Sequence, residues 1–204
     1  MGVSGEQLVI DLGAPSGAAI VVDAEGWALA HDHGAAFLRP QGQKSLPEPA
    51  SGGSVEELAD FIHFKSEGDQ VRATAWLLGC YQPGGPFPIL TIHDPILSAG
   101  VHAAAILASL IDPQRRIPRS RPVDTRDFAI HAKPSFVLVY SVDTLPRWLI
   151  DALCSAATCG TFATRALYSD DEEIAFDCQR PIILVAGTRC QIGKIFVIAL
   201  SRLR

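Results

Sequence analysis

The stretch "PFPILTIHDPILSAGVHAAAILASLIDP", residues 86–113, decides how the chain is read. Its apolar run over 88–93 predicts a buried strand. A loop follows from His93 to Val101, and then a helix over roughly 99–111 that stops at Asp112-Pro113. Strand, loop and helix in this order form the outline of a nucleotide-binding unit, in which amides at the helix start receive phosphate. The loop itself holds no lysine and places an aspartate directly after the strand.

Downstream, "SFVLVYSV" (135–142) and "RPIILVAG" (180–187) are unbroken apolar runs of the kind buried on both faces of a sheet. "LPRWLIDALCSAA" (145–157) reads as a helix, and "PVDTRDFAIHAK" as a shorter one capped by Asp124. "TFATRALY" and "EIAFDC" read as a hairpin around the acidic tip 169–173. Upstream, "SVEE" is a capping box of Ser54 and Glu57, opening a helix with Leu58, Phe61 and Ile62 as its stripe. A second helix spans Asp69 to Cys80, with Val71, Ala75 and Leu78 inward and Trp76 beside them. "RPQGQKSLPEPASGG" (39–53) reads as a linker. Before it, "QLVIDL", "AAIVVDA" and "WALAHD" are short strands separated by turn residues.

The expected fold is therefore α/β: a mostly parallel sheet flanked by helices, preceded by a small β-rich lobe. That lobe and its linker occupy 1–50, and the α/β domain 51–204. Ligands of such sheets bind beyond the carboxyl ends of the strands. Three segments meet there: His93-Asp94, Ser141 to Asp143, and Val185 to Gly187.

Composition narrows the class. Hydrophobic residues make up 48% and charged ones 19%, which is globular. A net charge of −5 gives no overall attraction to nucleic acid, so DNA contact needs a local basic patch. "PQRRIPRSRP" supplies one, with Arg115, Arg116, Arg119 and Arg121; a solvated loop is the alternative reading. The five scattered cysteines fit reduced thiols and offer no zinc spacing. The longest apolar run, "VHAAAILASLI", is too short to span a bilayer, and no secretory signal opens the chain. A cytoplasmic protein with no membrane partner and no metal site is expected. The histidine pair His31 and His33 has no third ligand in view, and a meeting of His93, His102 and His131 near the loop is the other candidate constellation.

Beyond this patterning, several irregular phrases carry a family resemblance: "DLGAPSGAAIVVDAEGW", "LPEPASGGSVEEL", "AWLLGCYQPGGPFPILTIH", "LASLIDP", and the stretch from Leu145 to Leu184. They resemble the P-loop ATPases of bacterial phages and integrated mobile elements, which are helicase- or primase-associated proteins. The resemblance implies an AAA+/helicase-like core behind the β-rich lobe. It also implies a Walker A loop after "PILTIH", where glycines close amides around phosphate, a lysine neutralises charge and a hydroxyl holds magnesium.

The chain departs from that pattern. Asp94 and Leu97 stand where glycines are expected, Gly100 where the lysine belongs, and Val101 and His102 in place of the hydroxyl residues; Ser98 and Ala99 match. A cation about 4 Å from phosphate is worth roughly 4 kcal/mol at an effective dielectric near 20, which is about three decades of affinity. The magnesium-binding acid expected after "FVLVY" is replaced by Ser141, with Asp143 two residues on, and Val185 stands where a polar sensor is expected. From Gly187 to Lys194 the chain imitates a phosphate loop with one residue too many. The expectation is a domain that has lost ATP hydrolysis and carries no cofactor. The alternative is an ATP- and magnesium-binding enzyme that uses Asp143 and Lys194 beside Ser98 and Ala99.

Overall fold

The computed structural model describes residues 1–115, 117–158, 161–165, 173–177, 179–187 and 197–200. The chain opens with a four-stranded antiparallel meander: β1 (Gly2–Ser4), β2 (Gln7–Asp11), β3 (Ala19–Asp23) and β4 (Gly26–Ala30), adjacent in that order. Tight turns fix its register, so Val9 lies opposite Val21 and Ile20 opposite Leu29. Val9, Leu12, Ala18 and Ala19 are buried beneath the meander. Asp11 ends β2, and its carboxylate takes Arg39 at 2.7 and 3.0 Å and the Gly13 amide at 2.9 Å. That arginine anchors the start of the 39–53 stretch.

This stretch does not hang as a free linker. Lys44 N–H donates to Pro113 O at 2.8 Å, Arg115 N–H to Gly42 O at 3.0 Å, and Leu46 N–H to Leu12 O at 2.8 Å. Gln43 and Gln114 form an antiparallel bridge between the two segments. Proline content signals a break in regular structure, yet the amides between the prolines remain free to pair.

Ser54 and Glu57 make both arms of the capping box over the short 3-10 turn Val55–Glu57, which leads into α1 (Leu58–Phe61). Of the expected stripe only Ile62 is fully buried, whereas Phe61 is 66% exposed. Ser66 then caps α2 (Glu67–Cys80), accepting the Asp69 amide. Its buried face is Asp69, Ala73, Trp76 and Cys80, a regular i, i+4, i+7, i+11 stripe. Val71, Ala75 and Leu78, expected inward, point to solvent. The indole fixes this rotation: Trp76 is 1% exposed and its Nε1–H donates to Pro88 O at 2.9 Å, just before the first core strand. One large aromatic with a satisfied polar edge outweighs three smaller apolar side chains.

The parallel sheet comprises β5 (Ile89–His93), β6 (Leu138–Val142), β9 (Ile182–Ala186) and β10 (Val197–Leu200), with β7 (Thr161–Arg165) and β8 (Glu173–Asp177) forming a separate antiparallel pair; residues 169–172 of the expected acidic tip lie outside the described residues. Strand order is β10-β5-β9-β6, with every neighbour parallel. Side chains alternate across it. Leu90, Ile92, Val139, Ile183 and Val185 face α2 and α3 (Ala99–Ser109). Ile89, Leu138, Tyr140, Ile182 and Leu184 face α4 (Thr125–Ala132) and α5 (Arg147–Thr158). Helix α5 buries Leu149, Ala152, Leu153 and Ala156 at helical spacing. Each of its two leucines contributes about 1.5–3 kcal/mol. The expected mixed α/β architecture, with helices on both sheet faces and a β-rich lobe ahead of it, is what the chain forms.

Candidate functional site

The carboxyl edge of the parallel sheet is the place to build from. From β5 the chain goes two places across to β6, returns to fill the gap with β9, and ends on the other side of β5 with β10. The loop after β5 therefore lies at the point where the winding reverses, where open α/β sheets place ligands. Backbone bonds continue past the strand ends, from Asp94 N–H to Ala186 O and from Gly187 N–H to Val142 O, both 3.0 Å. These bonds draw the three expected segments together.

Asp94 governs the loop. It is 6% exposed, and its carboxylate turns back into the loop, accepting the Ile96 amide at 3.1 Å and the Gly100 amide at 2.8 Å. Burial alone would push its pKa up. The amides of Gly100, Ile96, Ser98 and Leu97 outweigh that effect and hold it below the ordinary value, so the group is an anion at neutral pH. To aim these amides inward the chain places Leu97 at φ 59°, a left-handed conformation unusual for leucine. The Leu97 side chain packs against the α2–α3 side of the core. The hollow at the start of α3 thus holds the protein's own carboxylate, on the residue that stands where the resemblance asks for glycine. The signal was present, because an aspartate shortly before a helix is a known acceptor for nearby backbone amides.

Gly100 explains itself in the same geometry. A Cβ there would lie 2.8 Å from Asp94 Cβ, 2.9 Å from Val185 Cγ1 and 3.3 Å from Ile92 Cγ2. The position where the resemblance asks for lysine is a buried contact of α3 with β5 and β9.

The remaining candidates are placed as follows. Ser98 and Ala99 are exposed on the lip of the loop, and the Ser98 hydroxyl makes no capping bond. Asp143 is exposed just past β6, and its carboxylate lies so close to Gly187 that a Cβ on Gly187 would run into it. Beside it Arg121 donates to Thr144 O at 3.1 Å and Thr144 Oγ1 at 3.3 Å. Lys194 and Arg116 lie outside the described residues. Arg119 bridges in parallel to Tyr140 at the outer edge of β6, and its guanidinium donates to Ser135 Oγ at 3.0 Å. Arg115 is exposed at the seam with Gly42. The described arginines are thus strung from that seam along the edge of β6 to its carboxyl end.

The histidines stay apart. His102 is on α3 and His131 on α4, against opposite faces of the sheet. His131 sits 3.5 Å from Asp127 and 3.4 Å from the Tyr140 hydroxyl; burial lowers its pKa, only partly opposed by Asp127. Among the described residues no group of three or more His, Cys, Asp or Glu is arranged to hold a metal. Nor does any described helix have the length and apolarity to cross a membrane.

Fold and site together define an α/β protein whose strand–loop–helix cradle is closed by an internal carboxylate. Residues 55–198 match the family described as the actinomycete integrative conjugative element replication protein, and the chain belongs to that family. The match begins at the 3-10 turn, takes in β5, β6 and β9, and ends within β10. No curated protein matches the chain. Among solved structures, the C-terminal region of NrS-1 in its apo A form is similar with a TM-score of 0.46 at 11% identity; the match covers 94% of this chain and 46% of that one. The chain thus spans about half the length of that C-terminal region.

Proposed function

We propose that this chain serves the replication of an integrative element as a nucleotide-independent module: a P-loop-like ATPase fold that no longer takes ATP. Membership of the replication-protein family supports the setting. The observation that carries the rest is the Asp94 carboxylate seated on the amides of Ile96 and Gly100. A triphosphate entering this loop has to displace an anion held by charge-assisted bonds, each worth about 1.5–3 kcal/mol. It then finds glycine where a cation is needed. The work left to such a module is contact with DNA and with other replication proteins. Arg115, whose guanidinium makes no hydrogen bond or ion pair among the described residues, is with Arg116 our candidate for phosphate contact, and Arg119 and Arg121 frame the same edge.

Isothermal titration of the purified chain with ATP and magnesium tests this reading. No binding at millimolar ATP is expected. Micromolar binding that disappears in Lys194→Ala would overturn it in favour of an active nucleotide site built from Lys194 and Asp143. The DNA contact is tested in parallel with duplex of arbitrary sequence. Arg115→Ala/Arg116→Ala should flatten the salt dependence of binding by up to about two units of log–log slope, and an unchanged slope removes these residues from the interface.

A further inference from the structure

The front meander ends on an unguarded edge. Strand order places β4 outermost, and Gly26–Ala30 contain no lysine, no proline and no bulge. Free strand edges are ordinarily blunted by one of these, because a row of unpaired amides and carbonyls templates another strand. The hydrogen-bond phase shows which groups are free. Leu12 N–H donates to Ala18 O, so by alternation Ile20 and Val22 bond back to β2, and Ala19, Val21 and Asp23 bond to β4. Gly26, Ala28 and Ala30 answer those three. The N–H and C=O of Trp27 and Leu29 therefore point away from the sheet, and among the described residues nothing bonds them.

The side chains of this edge are self-complementary. Trp27 is 49% exposed and Leu29 38%, and both end apolar rows that cross the meander, Leu8–Val22–Trp27 and Ile10–Ile20–Leu29. In an antiparallel pair of β4 strands with Ala28 on the two-fold axis, Trp27 lies opposite Leu29 of the second copy. These are the residues whose outward backbone groups are free to exchange bonds. Each apolar row then runs on into a row of the other copy. Ala28 meets Ala28 as a non-hydrogen-bonded pair, with Cα atoms about 4.5 Å apart, so the closest approach in the ladder is made by two methyl groups. Glu25, just before the strand, falls opposite His31, just after it, and a carboxylate acceptor meets an imidazole N–H. Shifting the axis to Trp27 sets Glu25 against Leu29, and shifting it to Leu29 sets Trp27 against His31.

We infer that a second copy of the chain docks on β4, joining the two meanders into one continuous antiparallel sheet about a two-fold axis at Ala28. The occupant follows from the matched apolar rows and from the Glu25–His31 pair, which a strand of arbitrary sequence does not supply. The contact is one short strand wide, so it falls at the small end of specific interfaces and gives a weak dimer. It lies on the front lobe, away from the loop after β5 and the arginines, and its test stands apart from ATP and DNA.

Sedimentation velocity of the full chain between about 5 and 500 µM should show monomer giving way to dimer. Ala28 is exposed on the open side of β4, so Ala28→Lys should leave the circular dichroism unchanged. Facing itself across the axis, the added charge should raise the dimer dissociation constant at least about tenfold. Hydrogen exchange gives a readout that needs no variant. The Trp27 and Leu29 amides should exchange fast in dilute protein and become protected as concentration rises, while the Ala28 amide, bonded to β3, is protected throughout. Mild oxidation of Ala28→Cys should cross-link it to itself, since opposed Cα atoms about 4.5 Å apart lie within disulfide range. Ala30→Cys, off the axis, should cross-link no more than wild type. A chain that stays monomeric up to about 500 µM, its edge left to a strand of another protein, would overturn the inference. So would a dimer indifferent to Ala28→Lys, protection of Trp27 and Leu29 that does not depend on concentration, or equal cross-linking of the two cysteine variants.

Discussion

Replacing Asp94 by asparagine tests the central geometry at the cost of one charge and almost no volume. In the native loop the carboxylate accepts amides at 2.8 and 3.1 Å and is almost fully buried. Asparagine keeps one acceptor oxygen and turns the other into a donor that faces amides. One charge-assisted bond is lost, worth about 1.5–3 kcal/mol, together with the charge–dipole term at the start of α3, about 0.3–1 kcal/mol and more when buried. The expected destabilisation at pH 7 is therefore about 2–4 kcal/mol, read as a lower urea midpoint, or as roughly 5–15 °C in Tm for a chain of this size. The pH dependence gives a second, sharper reading. Asp94 has a folded pKa below its ordinary value of 3.8, so between the two values the unfolded chain binds more protons. Its contribution is complete above pH 3.8 or so and fades as pH falls through the folded value. The gap between wild type and Asp94→Asn should close in acid. A variant within 0.5 kcal/mol of wild type at pH 7, or a gap that persists undiminished at pH 2–3, would refute the seated-carboxylate account.

Gly100→Ala should destabilise the fold by about 1–3 kcal/mol in urea titration, because the added methyl meets Asp94 and Val185 at under 3 Å. By the same contact Gly100→Lys should lower stability without producing ATP binding. Trp76→Phe should cost about 2–4 kcal/mol in the same assay, since it empties buried volume and leaves Pro88 O without its 2.9 Å donor. A loss below 1 kcal/mol would mean that the indole does not set the rotation of α2.

Much of the architecture was legible in advance. The apolar runs at 88–93, 135–142 and 180–187 contain β5, β6 and β9, and the helix starts at Ser54 and Asp124 follow from side chains that bond their own backbone. Two things were not legible. The inward face of α2 was misread because counting apolar residues weighs Val71, Ala75 and Leu78 above one Trp76, and the Pro88 carbonyl that claims the indole is 12 residues away. At the site, the loss of lysine and glycines was plain from the residues, but the gain in their place was not. Whether an aspartate repels an anion or occupies its seat depends on where the amides of Ile96 and Gly100 point, and that follows from the turn at Leu97. The patterning gave the sheet its face alternation; the polar closure of its loop depended on backbone geometry.

The stitching of Gly42–Lys44 to Pro113–Arg115 bears on how the molecule comes apart. Residues 47–53 lie beyond these shared backbone bonds, so a protease cut there would sever the chain without freeing its first 46 residues. Arg39 and Asp11 would still brace the meander, and the meander would stay attached through Lys44 and Gly42. The two pieces would travel together through a sizing column and separate only in denaturant. The front lobe is thus an integral wall of the body, although the replication-family match starts only behind it.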